Sequence, residues 1–126
     1  MRFHIVTLFP EFFDGPFNAS LLGKAVEKNV ISISLINPRD YTPHKHRKVD
    51  DNPYGGGAGM VLMVEPIALA VEAIKAKDPA THVILLSARG KLFDAGLARE
   101  YSTQHSSITL ICGHYEGVDE RVAEHV

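Results

Sequence analysis

The sequence predicts an α/β fold, a mostly parallel sheet with helices on both faces, from three observations. Segments typical of strands alternate with segments typical of helices along the chain. The strand candidates RFHIVTLF, HVILLS and ITLIC are nearly continuous apolar runs, as expected for strands that are covered on both faces of a parallel sheet. A chain of 126 residues with 45% hydrophobic and 22% charged residues has the composition of one globular domain.

The first half of the chain predicts a strand, a helix, a strand and a long loop. RFHIVTLF is rich in β-forming residues and stops at Pro10. In SLLGKAVEKN, Ser20 fits the N-cap position, and Leu21, Leu22, Ala25 and Val26 fall on one helical face. ISISLI alternates apolar residues with serine and predicts a second strand. Residues 37–59, the mid-chain loop, are polar and rich in Pro and Gly. A loop of this length in a compact domain is commonly functional.

The second half predicts helices and buried strands in alternation. EPIALAVEAIKAK begins near Pro66 and places Ile67, Ala70, Val71 and Ile74 at helical spacing. HVILLS and ITLIC read as buried strands, and Asp94 fits the N-cap of the helix between them. VDERVAEHV opens a further helix just as the sequence stops. We therefore expect the chain to be the front part of a longer protein.

Composition restricts the function classes. The net charge of −2 excludes a global basic field for nucleic acid, so that such a site would have to be local. One cysteine, Cys112, cannot form an internal disulfide, which suits a reducing compartment. The N-terminus lacks the pattern of a signal peptide, and the sequence contains no apolar run long enough to span a membrane. We expect a cytoplasmic protein that does not bind membranes.

A glycine cluster in DDNPYGGGAGMV suggests a phosphate-binding loop, but neither common phosphate motif is present. The Walker pattern needs a Lys and a Ser or Thr directly after its last glycine, where this chain has Met60 and Val61. The dinucleotide fingerprint needs glycines between a strand and a helix, whereas these end a long polar loop. Glycines allow positive φ and a close approach to the backbone. A ligand-contacting loop and a tight structural turn both remain open.

The mid-chain loop also carries a basic segment, RDYTPHKHRKVDD. Together with Tyr41 and Tyr54 it could contact phosphates and stack on unpaired bases. The alternative is a solvated loop that is balanced by its own carboxylates. His44 and His46 beside Asp50 and Asp51 match no common ligand spacing, and the nearby lysines disfavour a cation. We predict no metal-binding residues.

A second cluster, CGHYEGVDER, follows the last apolar strand. Gly113 and Gly117 bound a short loop that carries Tyr115 and Glu116. This loop could bind a ligand, or it could be a simple strand-to-helix connection with Asp119 as the cap and Arg121 as its partner. Cys112 ends a buried run and is interpreted as a small core residue rather than a nucleophile. His4 and His82 are expected to be structural residues without nearby partners.

The segments IVTLFPEFF, VDDNPYGGGAGMV, EPI, VILLS and CGHYEGVDER resemble, in order, the bacterial tRNA (guanine-37-N1)-methyltransferases of the SPOUT class. The resemblance implies a trefoil-knot domain and a homodimer. It also implies transfer of a methyl group from S-adenosyl-L-methionine to N1 of guanine 37, next to the anticodon of tRNA. Mg²⁺ is a further cofactor that it allows. Residues 1–126 would form the N-terminal S-adenosylmethionine-binding domain, incomplete before the knot.

The resemblance also implies roles for individual residues. Those assigned to the methyl-donor pocket are Leu85, Leu86, Ser87, Gly90, Gly113, Tyr115, Glu116 and Gly117. Those assigned to the surface that meets the anticodon stem-loop are His46, Arg47, Asp50, Gly55, Gly56, Gly57 and Gly59. We expect the two surfaces to share one cleft. Ala88 and Arg89 depart from the Pro-Gln pair typical of the family.

Methylation of guanine N1 needs a group that removes the N1 proton and a cation that stabilises charge on O6. Glu116 is the acidic candidate in this chain, and the resemblance places the main base and an Arg beyond Val126. We therefore expect the 126-residue chain alone to be inactive. A non-catalytic α/β domain that binds RNA or S-adenosylmethionine is the alternative, and a triphosphate-binding protein is a weaker one.

Overall fold

The computed structural model describes residues 1–53, 56 and 58–126 and confirms the α/β class. Its strands are β1 (Arg2–Val6), β2 (Ser32–Ile36), β3 (Asp50–Asp51), β4 (Val61–Leu62), β5 (His82–Leu86) and β6 (Ser107–Cys112). Its α-helices are α1 (Asp14–Phe17), α2 (Ser20–Glu27), α3 (Val64–Lys77), α4 (Ala95–Gln104) and α5 (Arg121–His125). Short 3₁₀ helices cover Pro10–Phe13, Pro38–Asp40 and Lys45–Arg47.

The main sheet has four strands in the order β2-β1-β6-β5, and every neighbouring pair is parallel. Val6 at the end of β1 pairs with Ile36 and Ile111, and Leu86 at the end of β5 pairs with Cys112. The carboxyl ends of all four strands therefore lie at one edge. In open α/β sheets, that edge is where ligands bind.

One face of the sheet packs against α3. Val6 and Ile111 project from neighbouring strands into a core cluster with the apolar stripe of this helix. The stripe is the one that the sequence predicted, and all four members are buried: Ile67, Ala70, Val71 and Ile74. Leu62 of β4 and Val122 of α5 belong to the same cluster. The hairpin β3-β4 and the last helix are thus anchored on the α3 side of the sheet.

The opposite face is covered by α2 and α4. The connections from β1 to β2 and from β5 to β6 carry the chain in the same direction across the sheet. The connection from β2 to β5, which contains α3, carries it in the opposite direction. Right-handed crossovers consequently place α2 and α4 on one face and α3 on the other. Leu97 of α4 is buried, and the side chain of Asp94 caps α4 by accepting a hydrogen bond from Leu97 N at 2.8 Å. The predicted cap at Asp94 is confirmed.

The predicted start of α2 is wrong by one residue. Ala19 occupies the N-cap position, and no side chain caps the helix. Ser20 is the first helical residue and has φ of +52°. The predicted apolar face is only partly covered, since Ala25 and Val26 are half-buried while Leu21 is 79% exposed.

The amino-terminal edge of the sheet is held by a polar cluster around Asp78, just after α3. The Asp78 carboxylate accepts hydrogen bonds from Arg2 Nε at 2.8 Å and Ser107 Oγ at 2.6 Å, and it lies 3.1 Å from His4 Nε2. His82 stacks on His105 with ring centroids 4.1 Å apart. The partners of His4 and His82 are thus distant in the sequence, where inspection of neighbouring residues does not show them.

Candidate functional site

A cavity of about 610 Å³ opens at the carboxyl edge of the sheet, between the segments that follow β5 and β6. We call residues 85–90 its first wall and residues 112–118 its second wall. All the residues predicted for the donor pocket line this cavity: Leu85, Leu86, Ser87, Gly90, Gly113, Tyr115, Glu116 and Gly117. The structure thus brings together two segments that are separate in the sequence.

The first wall is a tight turn that follows directly from β5. Gly90 N donates to the carbonyl oxygen of Ser87 at 3.1 Å, and Arg89 N donates to Ser87 Oγ at 3.2 Å. A Cβ at Gly90 would lie 3.2 Å from the Ser87 carbonyl oxygen, so the turn leaves little room for a side chain. Leu86 is 50% exposed at the cavity. An exposed apolar residue at a cavity suits a flat heterocyclic ligand.

The second wall reverses direction through residues in the left-handed region. Tyr115 has φ of +60° and Gly117 has φ of +139°. Positive φ is uncommon for a residue other than glycine and often marks a functional loop. The ring of His114 contacts both Phe9, just before the 3₁₀ helix Pro10–Phe13, and Tyr115, with centroids 4.8 Å apart in each case. These contacts fix the second wall against the segment after β1.

The second wall is also bonded to the strand β4 that ends the glycine-rich segment. Glu116 N donates to Met60 O, Leu62 N donates to Gly117 O, and Asp119 N donates to Leu62 O, each at 3.1 Å. Gly59 lies directly against Glu116, since a Cβ at Gly59 would be 2.4 Å from Glu116 Cγ. The glycine-rich end of the mid-chain loop and the predicted donor pocket therefore adjoin one another.

The other residues predicted to meet RNA are distributed along the mid-chain loop. His46 and Arg47 lie in the exposed 3₁₀ turn Lys45–Arg47, and the Arg47 guanidinium pairs with Asp40. Asp50 begins β3, and Gly56 has φ of +82° with open space around it. None of these residues lines the cavity. Gly55 and Gly57 lie outside the described residues.

The surroundings of three groups at or next to the first cavity shift their pKa values. Burial, and then the neighbouring Asp50 carboxylate, raise the pKa of the Tyr115 phenol, so that Tyr115 is neutral at physiological pH. Burial also raises the pKa of the half-buried Cys112 thiol, the opposite of the shift that activates a cysteine nucleophile. The hydrogen bond from Arg121 lowers the pKa of Asp119.

A strand-to-helix connection in which Asp119 pairs with Arg121 was one of the two interpretations of the segment CGHYEGVDER. The Asp119 carboxylate accepts hydrogen bonds from Arg121 N at 3.0 Å and from the Arg121 guanidinium at 2.7 Å. The predicted cap position is wrong by one residue, because α5 begins at Arg121 and Glu120 precedes it. The pairing of Asp119 with Arg121 therefore stabilises the start of α5, while residues 112–118 before it form the second wall of the cavity.

A second cavity of about 470 Å³ lies between the β3-β4 hairpin and the start of α3. Its charged lining residues are Asp51, Glu65, Asp119 and Arg121. In the described part of the chain, no group of three or more His, Cys, Asp or Glu side chains is placed to hold a metal ion. Within the same residues, no helix is long and apolar enough to cross a membrane.

Sequence reasoning missed several residues of the first cavity. His114 and Glu120 line it as well, together with Arg89, which the sequence had singled out only as a departure from the family pattern. Arg89 and Glu120 form an ion pair across 31 positions of sequence. In the sequence, only their position close to the predicted wall residues could have indicated that they line the cavity. No local sequence pattern specifies a contact between two turns that are distant in the chain.

Comparison with known proteins identifies the relatives of this chain. Residues 1–126 match the family described as tRNA (Guanine-1)-methyltransferase TrmD. A tRNA (guanine-N(1)-)-methyltransferase of Trichodesmium erythraeum is 53% identical over 122 residues, which are 97% of this chain and 53% of that protein. One of Geobacter sulfurreducens is 52% identical over 124 residues, which are 98% of this chain and 50% of that protein.

A solved structure shares the fold. The crystal structure of tRNA (m1G37) methyltransferase from Aquifex aeolicus superimposes with a TM-score of 0.88 at 34% identity. The match covers 98% of this chain and 56% of that one. The chain thus spans about half the length of the relatives it matches.

Proposed function

The chain belongs to the tRNA (guanine-1)-methyltransferase family, and we propose that it supplies the methyl-donor site and part of the RNA surface of such an enzyme. The proposed reaction is methyl transfer from S-adenosyl-L-methionine to N1 of guanine 37 in tRNA. One observation carries the proposal: the cavity at the carboxyl edge of the sheet adjoins the glycine-rich end of the mid-chain loop, through Glu116 and Gly59.

The first cavity suits an adenosyl ligand in size and lining. Its volume of about 610 Å³ falls in the range of small-molecule sites. Leu85 and Leu86 offer apolar surface for a purine, and the exposed Gly90 and Gly113 allow a ligand to approach the backbone closely. These residues, with Ser87, Tyr115, Glu116 and Gly117, would hold the donor. When bound, S-adenosylmethionine supplies the methyl group from its sulfonium.

The mid-chain loop would hold the anticodon stem-loop. Lys45, His46 and Arg47 present exposed basic groups, which attract phosphates. Asp50 lies beside Tyr115 and Gly59 lies beside Glu116, so both adjoin residues that line the donor cavity. A guanine bound beside Gly59 would also lie near the Glu116 side chain, which packs against this glycine at the edge of the donor cavity.

The chemistry requires alignment of guanine N1 with the donor and removal of its proton. Glu116 is exposed, lines the cavity and contacts Gly59, so it is the carboxylate of this chain best placed to reach both ligands. We propose that it orients the ligands, and that the principal base and a cation at O6 come from the half that the relatives carry in addition. The chain of 126 residues is then expected to bind the donor without turnover.

Two measurements test the proposal. Calorimetry with S-adenosyl-L-methionine should show binding to the chain, whereas ATP should not bind. Incorporation of methyl groups into tRNA should be absent with this chain and should appear when it is extended with the second half of the Trichodesmium relative. Turnover by the 126-residue chain would refute the proposal that the principal base and the cation come from the other half of the enzyme. Binding of ATP instead of S-adenosyl-L-methionine would refute the assignment of the cavity as a methyl-donor site.

Several finer features stay predictions. Pairing into a homodimer is supported by large exposed apolar side chains such as Phe12 at 76%, Leu21 at 79% and Leu92 at 82%, and sedimentation analysis would test it. Magnesium dependence can be measured by adding a chelator to the methylation assay of the extended chain. The trefoil knot was expected from the resemblance and the location in the cytoplasm from the composition, and testing them needs the extended chain and its source cell.

A further inference from the structure

An ion pair joins the two sides of the donor cavity at its rim. Arg89 lies in the first wall, after β5, and Glu120 lies just before α5. The Arg89 guanidinium pairs with the Glu120 carboxylate, and both residues line the cavity. Their side chains are 79% and 61% exposed. The pair is therefore accessible to a ligand that enters from solvent.

The charges that line the cavity are few. Arg89 is the single Arg or Lys among the cavity-lining residues that the structure describes, and Glu116 and Glu120 are the carboxylates. Glu116 lies on the side of Gly59, toward the mid-chain loop, whereas Glu120 lies beside Arg89. A ligand carboxylate that enters this cavity can bind the Arg89 guanidinium. A ligand ammonium next to that carboxylate can bind Glu120, the partner of Arg89 in the ion pair.

The pair has the chemistry that recognises a free amino acid. A guanidinium binds a carboxylate through two parallel N–H···O bonds, and a carboxylate accepts hydrogen bonds from an ammonium. An exposed ion pair contributes little to stability, so that exchange of its partners costs little. The exchange also conserves charge, because a zwitterion replaces each partner with a group of the same sign.

We propose that Arg89 and Glu120 form a subsite for the amino-acid end of the donor, with Arg89 binding its α-carboxylate and Glu120 its α-ammonium. The inference rests on the proposed function, because it assumes that the adenosyl group occupies the same cavity. In the structure, the two side chains bind each other and join the first wall to the start of α5.

Two neutral thioethers provide a matched test. S-adenosylhomocysteine and 5′-methylthioadenosine share the adenosine and the sulfur, and only the former carries the amino-acid end. Calorimetry on the wild-type chain should show tighter binding of S-adenosylhomocysteine. Arg89→Gln and Glu120→Gln should each weaken S-adenosylhomocysteine by about tenfold, the lower end of what a charge-assisted hydrogen bond contributes. Binding of 5′-methylthioadenosine should change by less than about twofold.

Arg99→Gln is the matched control, since Arg99 is exposed on α4 and does not line the cavity. It should leave both affinities unchanged, and thermal unfolding of each variant verifies that it is folded. Equal loss of both thioethers in the Arg89 or Glu120 variants, or no loss of either, would overturn the subsite. Equal affinity of the wild-type chain for both thioethers would overturn it as well. Failure of the wild-type chain to bind either thioether would instead overturn the proposed function, and the subsite with it.

Discussion

Replacement of Gly59 with alanine tests whether the glycine-rich segment belongs to the donor site. A Cβ at this position would lie 2.4 Å from Glu116 Cγ and 3.0 Å from Glu116 Oε1. Carbon atoms in contact are normally separated by about 3.5–4.0 Å. Glu116 Cγ would therefore have to move by roughly 1 Å, from 2.4 Å to a normal carbon–carbon contact distance. Since Glu116 lines the cavity, such a movement changes the site where we place the donor.

Gly56→Ala provides the control for the backbone. Gly59 has φ of +103° and Gly56 has φ of +82°, but a Cβ at Gly56 would meet no atom within 4 Å. Both substitutions place an alanine in a sparsely populated conformation, which costs about 1–3 kcal/mol. Only Gly59→Ala adds the collision with Glu116. The difference between the two variants thus isolates that contact from backbone strain.

Calorimetry with S-adenosyl-L-methionine measures the difference. We expect Gly59→Ala to weaken donor binding by about tenfold, or about 1.4 kcal/mol, and Gly56→Ala to change it by less than about twofold. Thermal unfolding should show a loss of stability in both variants, with the larger loss in Gly59→Ala because of the collision with Glu116. Equal effects on donor affinity would mean that the Gly59–Glu116 contact has no part in the donor site. An unchanged affinity in Gly59→Ala would lead to the same conclusion.

Three further predictions concern stability. The hydrogen bond from Arg2 holds the pKa of Asp78 well below its usual range, so the unfolded chain takes up this proton first as the pH falls. Stability should therefore decline below about pH 4, and circular dichroism should show a smaller decline in Asp78→Asn. Burial, and then His105, lower the pKa of His82, so acidification from about pH 7 to about pH 5 should lower the melting temperature more in the wild type than in His82→Phe. Asp94→Ala removes the 2.8 Å cap of α4 and should cost about 1 kcal/mol in urea unfolding.

Local patterns in the sequence were sufficient for most of the helices and strands. The spacing of Ile67, Ala70, Val71 and Ile74 predicted the buried face of α3, because a helix that packs on a sheet must bury one stripe. The cap at Asp94 is equally local, since its carboxylate bonds an amide three residues ahead. The residues of the cavity walls were placed through the family resemblance, and the parallel sheet explains why two distant segments meet at one edge.

Contacts between distant residues could not be predicted in the same way. The His4 ring meets Asp78 across 74 positions, and the Arg89–Glu120 pair spans 31. Such contacts depend on how the strands are ordered in the sheet, which no local pattern specifies. At Ser20 a local pattern was present but misleading. Serine is a common N-cap residue, yet Ser20 lies one position inside the helix and has positive φ.

A crystal structure of the chain with S-adenosylhomocysteine and an anticodon stem-loop RNA would show whether donor and guanine share one site. We expect the adenosine to lie between residues 85–90 and 112–118, and the guanine to lie beside Gly59 on the side of the thioether sulfur. Donor bound outside this cavity, or RNA bound at the amino-terminal edge of the sheet near Asp78, would contradict the assignment of the site and of the reaction.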